Sequence, residues 1–187
     1  MGRVPVGSAT DVNPQRNLEV RGRCHALPQP LLDGFDGCLR HLEHQLIVHL
    51  HDEPRADLAA GEVAAQIGRP PAQVFKTLVA RGDKTGVLLA CVPGGTELDL
   101  KALALISGNK KVEMVPVKEI ESLTGYIRGG VSPLGTKRRY PFYLDESAML
   151  LPFISVSAGV RGCQLFVDPK HLSKILEATL GRISRAS

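Results

Sequence analysis

The glycine-rich segment at residues 125–137, which reads GYIRGGVSPLGTK, constrains the fold of this chain more than any other stretch. Four glycines in eleven residues give the backbone more freedom than a helix or a packed strand tolerates, because each glycine costs about 0.5–1 kcal/mol in regular structure. Pro133 fixes one φ angle and removes one donor, so we expect a loop of defined shape. Val131 and Leu134 are expected to anchor this loop in a core.

This loop is expected to turn backbone N–H groups outward, toward an oxyanion, a carbonyl or a phosphate. The residues that would present them are Gly129, Gly130 and Ser132. A plain hairpin turn explains the same composition equally well. Residues 130–137 also come close to a phosphate-binding P-loop, but that motif ends Gly-Lys-Ser/Thr and this one ends Gly-Thr-Lys. Because the inverted order displaces the ammonium and removes the hydroxyl that would hold magnesium, an NTPase is not expected.

Length and composition predict one folded domain at residues 31–187, preceded by a disordered or loosely packed extension at 1–30 that lacks hydrophobic periodicity. Tryptophan is absent and only 4% of residues are aromatic, so stacking on unpaired bases is not expected to dominate RNA binding. A net charge of +4 permits a polyanionic partner. The four widely spaced cysteines indicate free thiols in a reducing cytoplasm, and no apolar run is long enough to predict a membrane span.

Hydrophobic periodicity predicts an irregular interleaving of helices and strands. The helices are expected at 31–46, 58–67, 96–106, 116–123 and 169–180, and the strands at 47–51, 74–80, 86–92, 111–115, 140–144, 153–156 and 165–167. Thr96 and Asp99 suggest a capping box for the third helix, and Asp168-Pro169 predicts the start of the last. Several hairpins among these segments favour an α+β fold with a mixed sheet over a doubly wound one.

Two groups of side chains raise the hypothesis of a metal site, namely Cys38, His41 and His44, and His49, His51 and Asp52. Steps of three residues drift around a helix axis, and two histidines on one strand lack a third ligand. No metal and no other cofactor is therefore expected. Cys91 is not expected to act as a nucleophile either, because burial in an apolar strand raises the pKa of a thiol.

Lys76 places one cation inside the apolar strand VFKTLV, so its ammonium must leave the core or find a partner. A solvated lysine at a sheet edge and a functional lysine both fit this pattern. Residues 155–162 form a second flexible turn, rich in hydroxyls, with an arginine suited to a phosphate or a carboxylate. Several basic residues lie near the glycine loop in sequence, where they form either a solvated face or a contact with a phosphate backbone.

Five ordered motifs make residues 58–183 resemble the YbaK family, the free-standing relatives of the editing domain inserted in bacterial prolyl-tRNA synthetases. They are QVFKTLV at 73–79, ELDLK at 97–101, KKVEM at 110–114, GYIRGGVSPLG at 125–135 and SVSAGVRG at 155–162. The resemblance implies a single domain with a curved mixed sheet flanked by helices. It also implies release of wrongly attached amino acids from tRNA, with cysteine on the proline tRNA as the associated substrate.

The resemblance also implies roles for individual residues. The implied catalytic residues are Lys76, Gly129, Gly130, Ser132 and Pro133. In such a function, the residues of the two turns expected to bind substrate are Tyr126, Val131, Ser157, Gly159 and Arg161, and the basic residues expected to bind tRNA are Arg128, Lys137, Arg138 and Arg139. Aminoacyl-tRNA is the implied partner, with prolyl-tRNA synthetase as a second one and the cytoplasm as the location.

The chain departs from the family pattern at two places. Members often carry a tyrosine near residue 50, where this chain has Leu50 and His51, and many carry an aspartate after the final Arg-Gly, where it has Cys163 and Gln164. These departures bear on the preferred amino acid. They also leave open a non-catalytic module of the same fold that binds tRNA or a synthetase, and a small-molecule binding domain.

Overall fold

The computed structural model describes residues 47–50 and 60–186. The expected extension at 1–30 and the expected helix at 31–46 lie outside the described residues. So do the side chains of both metal hypotheses. Within the described residues, no group of three or more histidine, cysteine or acidic side chains is arranged to hold a metal ion.

Ten strands and four α-helices make up the described part of the chain. The strands are β1 (Ile47–Leu50), β2 (Phe75–Gly82), β3 (Gly86–Pro93), β4 (Thr96–Leu98), β5 (Val112–Met114), β6 (Phe142–Asp145), β7 (Ile154–Ser157), β8 (Cys163–Val167), β9 (Thr179–Gly181) and β10 (Ser184–Ala186). The helices are α1 (Ala60–Gln66), α2 (Leu100–Ile106), α3 (Val117–Thr124) and α4 (Pro169–Leu176), with 3-10 turns at Pro71–Gln73 and Glu146–Leu150. None of the described helices is long and apolar enough to cross a membrane.

These elements form a mixed sheet, as the sequence predicts for an α+β fold. The five-stranded sheet has the order β5-β2-β3-β6-β9, and a three-stranded sheet has the order β1-β8-β7. Strand β6 runs parallel to β3 and β9, whereas the other pairs within these sheets are antiparallel. A parallel bridge between Val74 and Ser155 joins the two sheets where β2 begins.

Three hydrophobic clusters hold the layers together. The largest lies between the two sheets and contains residues such as Phe75, Leu144 and Leu165. A second cluster, around Leu88 and Leu103, packs α2 against the far face of the five-stranded sheet. A third packs α1 on the far face of the three-stranded sheet. The buried centre of β3 therefore confirms the prediction of a central strand covered on both faces.

The third and last predicted helices are partly wrong. Asp99 alone caps α2, accepting hydrogen bonds from the N–H groups of Lys101 and Ala102, while Thr96 belongs to the short strand β4. The apolar pattern of this helix also predicts that Leu105 faces the core, but Leu105 is 81% exposed, because Leu103 and Ala104 form the buried face. Leu180 lies in β9, half exposed, since α4 ends at Leu176.

Candidate functional site

The glycine-rich loop, residues 125–141, joins α3 to β6. A hairpin turn, which the composition also allowed, is therefore wrong. Val131 and Leu134 are buried in the cluster between the sheets and confirm the expected anchoring. Gly129 takes a φ of +85°, a left-handed conformation that other residues adopt only at a cost. Gly125 and Gly135 of the same loop are also left-handed, so the loop has a fixed shape, set by its buried side chains and by three left-handed glycines.

The backbone donors of this loop differ from the prediction at Gly130 and at Ser132. The N–H of Gly130 donates to the carbonyl of Ile127 at 3.0 Å, so it closes a turn and does not face outward. The N–H groups of Val131 and Ser132 donate to no carbonyl or side chain within the described residues. Ser132 is fully buried, and its hydroxyl accepts from the N–H of Leu134 at 3.2 Å. Successive unpaired amides are what an incoming carbonyl or oxyanion oxygen requires.

The turn between β7 and β8 lies directly against the glycine loop. A Cβ on Gly130 would lie 3.4 Å from the carbonyl oxygen of Gly159, and Arg161 Nε donates to the carbonyl of Arg128 at 3.0 Å. Gly159 itself takes a φ of +88°. The structure therefore brings together two segments that are about 30 residues apart, and with them most of the residues that the sequence assigned to substrate.

Tyr126 lies beneath this contact. It is buried, and its hydroxyl donates to the carbonyl of Leu134 at 2.7 Å. Burial raises the pKa of this phenol to about 12, so the side chain stays neutral. Because a Cβ on Gly159 would come within 2.6 Å of its ring, Tyr126 supports both segments from inside. Its hydroxyl is already engaged in holding the loop.

Lys76 is held by the connection between β3 and β4. Its ammonium donates to the carbonyls of Gly94 at 3.3 Å and Thr96 at 2.5 Å. Partial burial lowers the pKa of this lysine, and the nearby carboxylate of Glu97 opposes that shift. The lysine is thus half-buried with partners, and the expectation of a solvated edge lysine is wrong. An ammonium has three donors, so one remains for a ligand.

A polar stripe crosses the outer face of the joined sheets. Ser155 Oγ donates to Gln164 Oε1 at 2.9 Å, and both side chains are buried. Ser157 is paired with Gln164 across β7 and β8 and therefore shares its face. Strands β2 and β7 are in contact, and Lys76 and Ser157 each lie two residues beyond the bridge that joins Val74 to Ser155. Sequence reasoning missed the pairing of Ser155 with Gln164, because polar residues on short strands carry no signal of their partner.

Lys76 and the glycine loop lie on two sides of the end of β7. The anchors of the loop pack between the sheets, whereas Lys76 lies on the outer face, as does Leu78 two residues further on. A cleft of about 460 Å³ lies beside the connection that Lys76 holds, lined by Pro93, Thr96, Ser147, Leu150, Leu151 and Ser184, among others. No residue predicted for the site lines this cleft.

The remaining predicted residues lie at the rim. Arg128, Lys137, Arg138 and Arg139 are all exposed. Lys137 Nζ donates to the backbone carbonyl of Glu121 at 3.2 Å. This carbonyl lies near the C-terminal end of α3, where the helix dipole favours a cation. Cys91 is fully buried, and burial raises the pKa of its thiol to about 12, as expected for a residue that is not a nucleophile.

An α+β domain with a mixed sheet, a glycine loop anchored in the core and two buried cysteines among the described residues is the class of protein that the structure defines. The sequence model of the aminoacyl-tRNA editing domain matches residues 53–175, and the chain belongs to this family. An Enterococcus faecalis protein named "Putative Cys-tRNA(Pro)/Cys-tRNA(Cys) deacylase EbsC" is 47% identical over 127 residues, which are 68% of this chain and 77% of that protein.

Two further similarities agree with this family. The Bacillus subtilis protein YwhH, whose function is uncharacterized, is 29% identical over 113 residues, which are 60% of this chain and 71% of that protein. A crystal structure of "a putative trans-editing enzyme for prolyl tRNA synthetase" superposes with a TM-score of 0.73 at 26% identity, covering 86% of this chain and all of that one. The α+β fold with a mixed sheet is thus shared with that structure.

Proposed function

We propose that this protein is an aminoacyl-tRNA editing deacylase that acts in trans and releases a wrongly attached amino acid from tRNA. Cysteine on the proline tRNA is the substrate we expect, in agreement with the name of the Enterococcus faecalis relative. The observation that carries the proposal is the pair of unpaired amides at Val131 and Ser132, fixed against the turn at Gly159. We assign the substrate carbonyl to these amides, a role that requires no protein nucleophile.

The chemistry asks little of the protein, because an aminoacyl ester is already activated. A cysteinyl ester carries its own thiol, which can attack the carbonyl and close a small ring as the ribose oxygen leaves. Holding the two groups at attack distance is worth roughly 7–11 kcal/mol of the barrier. Each amide that meets the developing oxyanion contributes up to about 2.7–4 kcal/mol. Gly129, Val131 and Ser132 are the donors that we assign to this oxygen, and Pro133 fixes the direction of the chain after them.

Lys76 has a positioning and binding role in this scheme. Two of its three donors hold the carbonyls of Gly94 and Thr96. We assign the third to the terminal adenosine, its phosphate or the ester carbonyl. Ser157, beside Lys76, and the amide of Gln164 are neutral groups that can bind the amino acid, together with Arg161 at the end of the turn. This neutral stripe lies where many family members carry an aspartate.

The exposed basic residues at the rim are the proposed contacts with the tRNA backbone. Arg128, Arg138 and Arg139 are exposed beside the loop and carry charge toward any approaching polyanion. Lys137 adds charge there while its ammonium also bonds to Glu121. The proposal includes prolyl-tRNA synthetase as a partner and the cytoplasm as the location, since both follow from acting on newly charged tRNA.

The decisive assay compares cysteinyl-, alanyl- and prolyl-tRNA(Pro) under single-turnover conditions with the full chain. We expect release of cysteine in preference to the other two. Failure to release any of them, while another member of the family succeeds in the same assay, would remove the proposal. The matched variants are Ser132→Ala, which keeps the backbone N–H, and Pro133→Ala, which frees the backbone. If the loop amides, and not the Ser132 hydroxyl, stabilise the oxyanion, only Pro133→Ala should slow release strongly.

A second candidate is a module of the same fold that binds tRNA without deacylating it. The neutral, buried pair of Ser155 and Gln164 favours it, because this pair replaces a charged group in the stripe. Binding of tRNA that weakens steeply with salt, without any release, would support this candidate. The variant Gln164→Asp, which places an aspartate in the stripe, distinguishes the two candidates. If the wild-type protein releases no amino acid and the variant does, the non-catalytic tRNA-binding module is supported. If the wild-type protein releases the amino acid and the variant does not, the deacylase is supported.

A further inference from the structure

We propose that Arg69 binds a phosphodiester of the single-stranded acceptor end of tRNA, and so fixes the register of the strand over the site. This inference rests on the proposed function for the identity of the ligand, whereas the placement of the Arg69 side chain comes from the structure. Arg69 lies between α1 and the 3-10 turn at Pro71–Gln73, outside the five sequence motifs.

Two aromatic rings hold the guanidinium of Arg69 in place. Its Cζ lies 5.1 Å from the ring centroid of Phe153 and 5.7 Å from that of Phe166. The two rings pack edge to face with centroids 5.7 Å apart. The chain then enters Pro70 and Pro71, which restrict the backbone next to Arg69. The guanidinium is therefore ordered before any ligand arrives, so that little side-chain entropy is lost on binding.

The donors of this guanidinium are not used within the described residues. No carboxylate there forms an ion pair with Arg69, and its side chain donates no hydrogen bond there. Two other described arginines are paired with acids, since Arg81 bonds to Glu119 and Arg185 to Glu97. Stacking uses the flat face of a guanidinium and leaves its five N–H groups at the edge. An ordered, half-buried fork without an acceptor is suited to a bidentate oxyanion.

The position of Arg69 places that oxyanion next to the polar stripe. Phe166 is the cross-strand neighbour of Ser155 and lies two residues from Gln164, so all three share one face of β7 and β8. Two residues along a strand span about 7 Å. Arg69 thus lies at one end of the stripe and Ser157 toward the other, a separation comparable with one nucleotide. An aminoacyl ester has no carboxylate, so the anions of the substrate near the scissile bond are phosphodiesters.

The test removes the phosphodiester from the substrate in one arm and the arginine from the protein in the other. The substrates are cysteinyl-tRNA(Pro) and cysteinyl-adenosine, which has the ester but no phosphodiester. The variants are Arg69→Ala, Arg69→Lys and, as a matched loss of one exposed charge, Arg182→Ala. We expect Arg69→Ala to lower kcat/KM about tenfold on the charged tRNA and to leave the adenosine ester unchanged. Arg69→Lys keeps the charge without the stacked fork and should lie between.

The remaining outcomes decide against the inference. An equal loss on both substrates with a lower melting temperature assigns Arg69 to packing alone, and an effect no larger than that of Arg182→Ala removes the contact. If the wild-type protein releases nothing, the deacylase proposal fails, and uncharged tRNA tests Arg69 separately. The slope of log K against log salt for binding of uncharged tRNA should then be smaller in magnitude by about 0.7 in Arg69→Ala than in the wild type. An unchanged slope overturns the phosphate contact.

Discussion

Gly159→Ala tests how tightly the two loops are held together. The backbone of Gly159 has a φ of +88°, which costs a residue with a side chain about 1–2 kcal/mol. The added Cβ would lie 2.6 Å from Cε1 and 3.2 Å from Cζ of Tyr126, an overpacking that costs about 1–3 kcal/mol more. The ring cannot yield freely, because its hydroxyl bonds to Leu134 and its body is buried. We therefore expect the free energy of unfolding to fall by about 2–5 kcal/mol.

The matched control is Gly86→Ala. Gly86 also has a positive φ, +73°, but a Cβ there would meet nothing within 4 Å. Urea unfolding of both variants then separates the cost of the backbone, about 1–2 kcal/mol, from the cost of the clash. In the deacylation assay, Gly159→Ala should slow release by about 10²-fold, since displacing Tyr126 moves the amides of Val131 and Ser132 by about an ångström. Gly86→Ala should leave release unchanged.

Equal destabilisation by the two substitutions would refute this reasoning, because the contact of Gly159 with Tyr126 would then carry no energy. Release at the wild-type rate by a folded Gly159→Ala variant would refute the predicted loss of activity. In that case the positions of the loop amides would not depend on the ring of Tyr126 beneath them. A crystal structure of the variant with an unmoved Tyr126 would lead to the same conclusion.

Three further predictions follow from single side chains. Lys76→Ala should abolish release and lower the free energy of unfolding by about 1–3 kcal/mol, since two carbonyls lose their donor; because burial lowers the pKa of Lys76, wild-type release should decline at a lower pH than the ordinary 10.5. Asp145→Asn should cost about 1–3 kcal/mol and flatten the acid limb of stability. Arg138→Ala and Arg139→Ala should each lower the salt slope of tRNA binding by about 0.7.

The sign of the Asp145 prediction follows from its surroundings. Burial alone would raise the pKa of this carboxyl, but hydrogen bonds from Ser147, Ser184 and Ile183 outweigh it and lower the pKa. The stabilisation is therefore present above the ordinary value of 3.8 and is lost as the pH falls through the lowered value. The Asp145 prediction is contradicted if the stability of Asp145→Asn at acid pH depends on pH as it does in the wild type. The Lys76 prediction is contradicted if Lys76→Ala still releases the amino acid. The arginine predictions are contradicted if the salt dependence of tRNA binding is unaltered.

Elements with strong local signals were predictable from the sequence. Strands β2 and β3 were predicted from their apolar patterns, and the start of α4 was predicted from its cap at Asp168. Each of these signals depends only on neighbours in the chain, and the structure confirms all three elements. The short strands β4, β9 and β10 were missed, because they lack the hydrophobic alternation that marks β5, a strand of the same length. They are strands because of distant partners: β10 pairs with β4, and β9 pairs with β6. Leu180 was assigned to a helix for the same reason.

In the candidate site, too, features with a local sequence signal were predictable and features that depend on distant partners were not. The anchoring of the glycine loop by Val131 and Leu134 follows from local hydrophobicity, and the structure confirms it. The partners of Lys76 are carbonyls 18 and 20 residues further along the chain, which no local pattern indicates. Gly130 was expected to face outward, but a tight turn uses its N–H. Backbone groups have no sequence signal, so their availability can be known only from coordinates.

The identity of the attacking group can be argued from the side chains around the loop. The hydroxyl of Tyr126 has a pKa of about 12, Ser157 and Gln164 are neutral, and the Lys76 ammonium donates to two carbonyls. None of these four groups is a general base near neutral pH, so activation of water is disfavoured relative to attack by the substrate thiol. Cysteinyl-tRNA should therefore yield a cyclised thiolactone on thin-layer analysis, and alanyl-tRNA should be released far more slowly. Free cysteine as the first product, or alanine released as fast as cysteine, would show that water attacks.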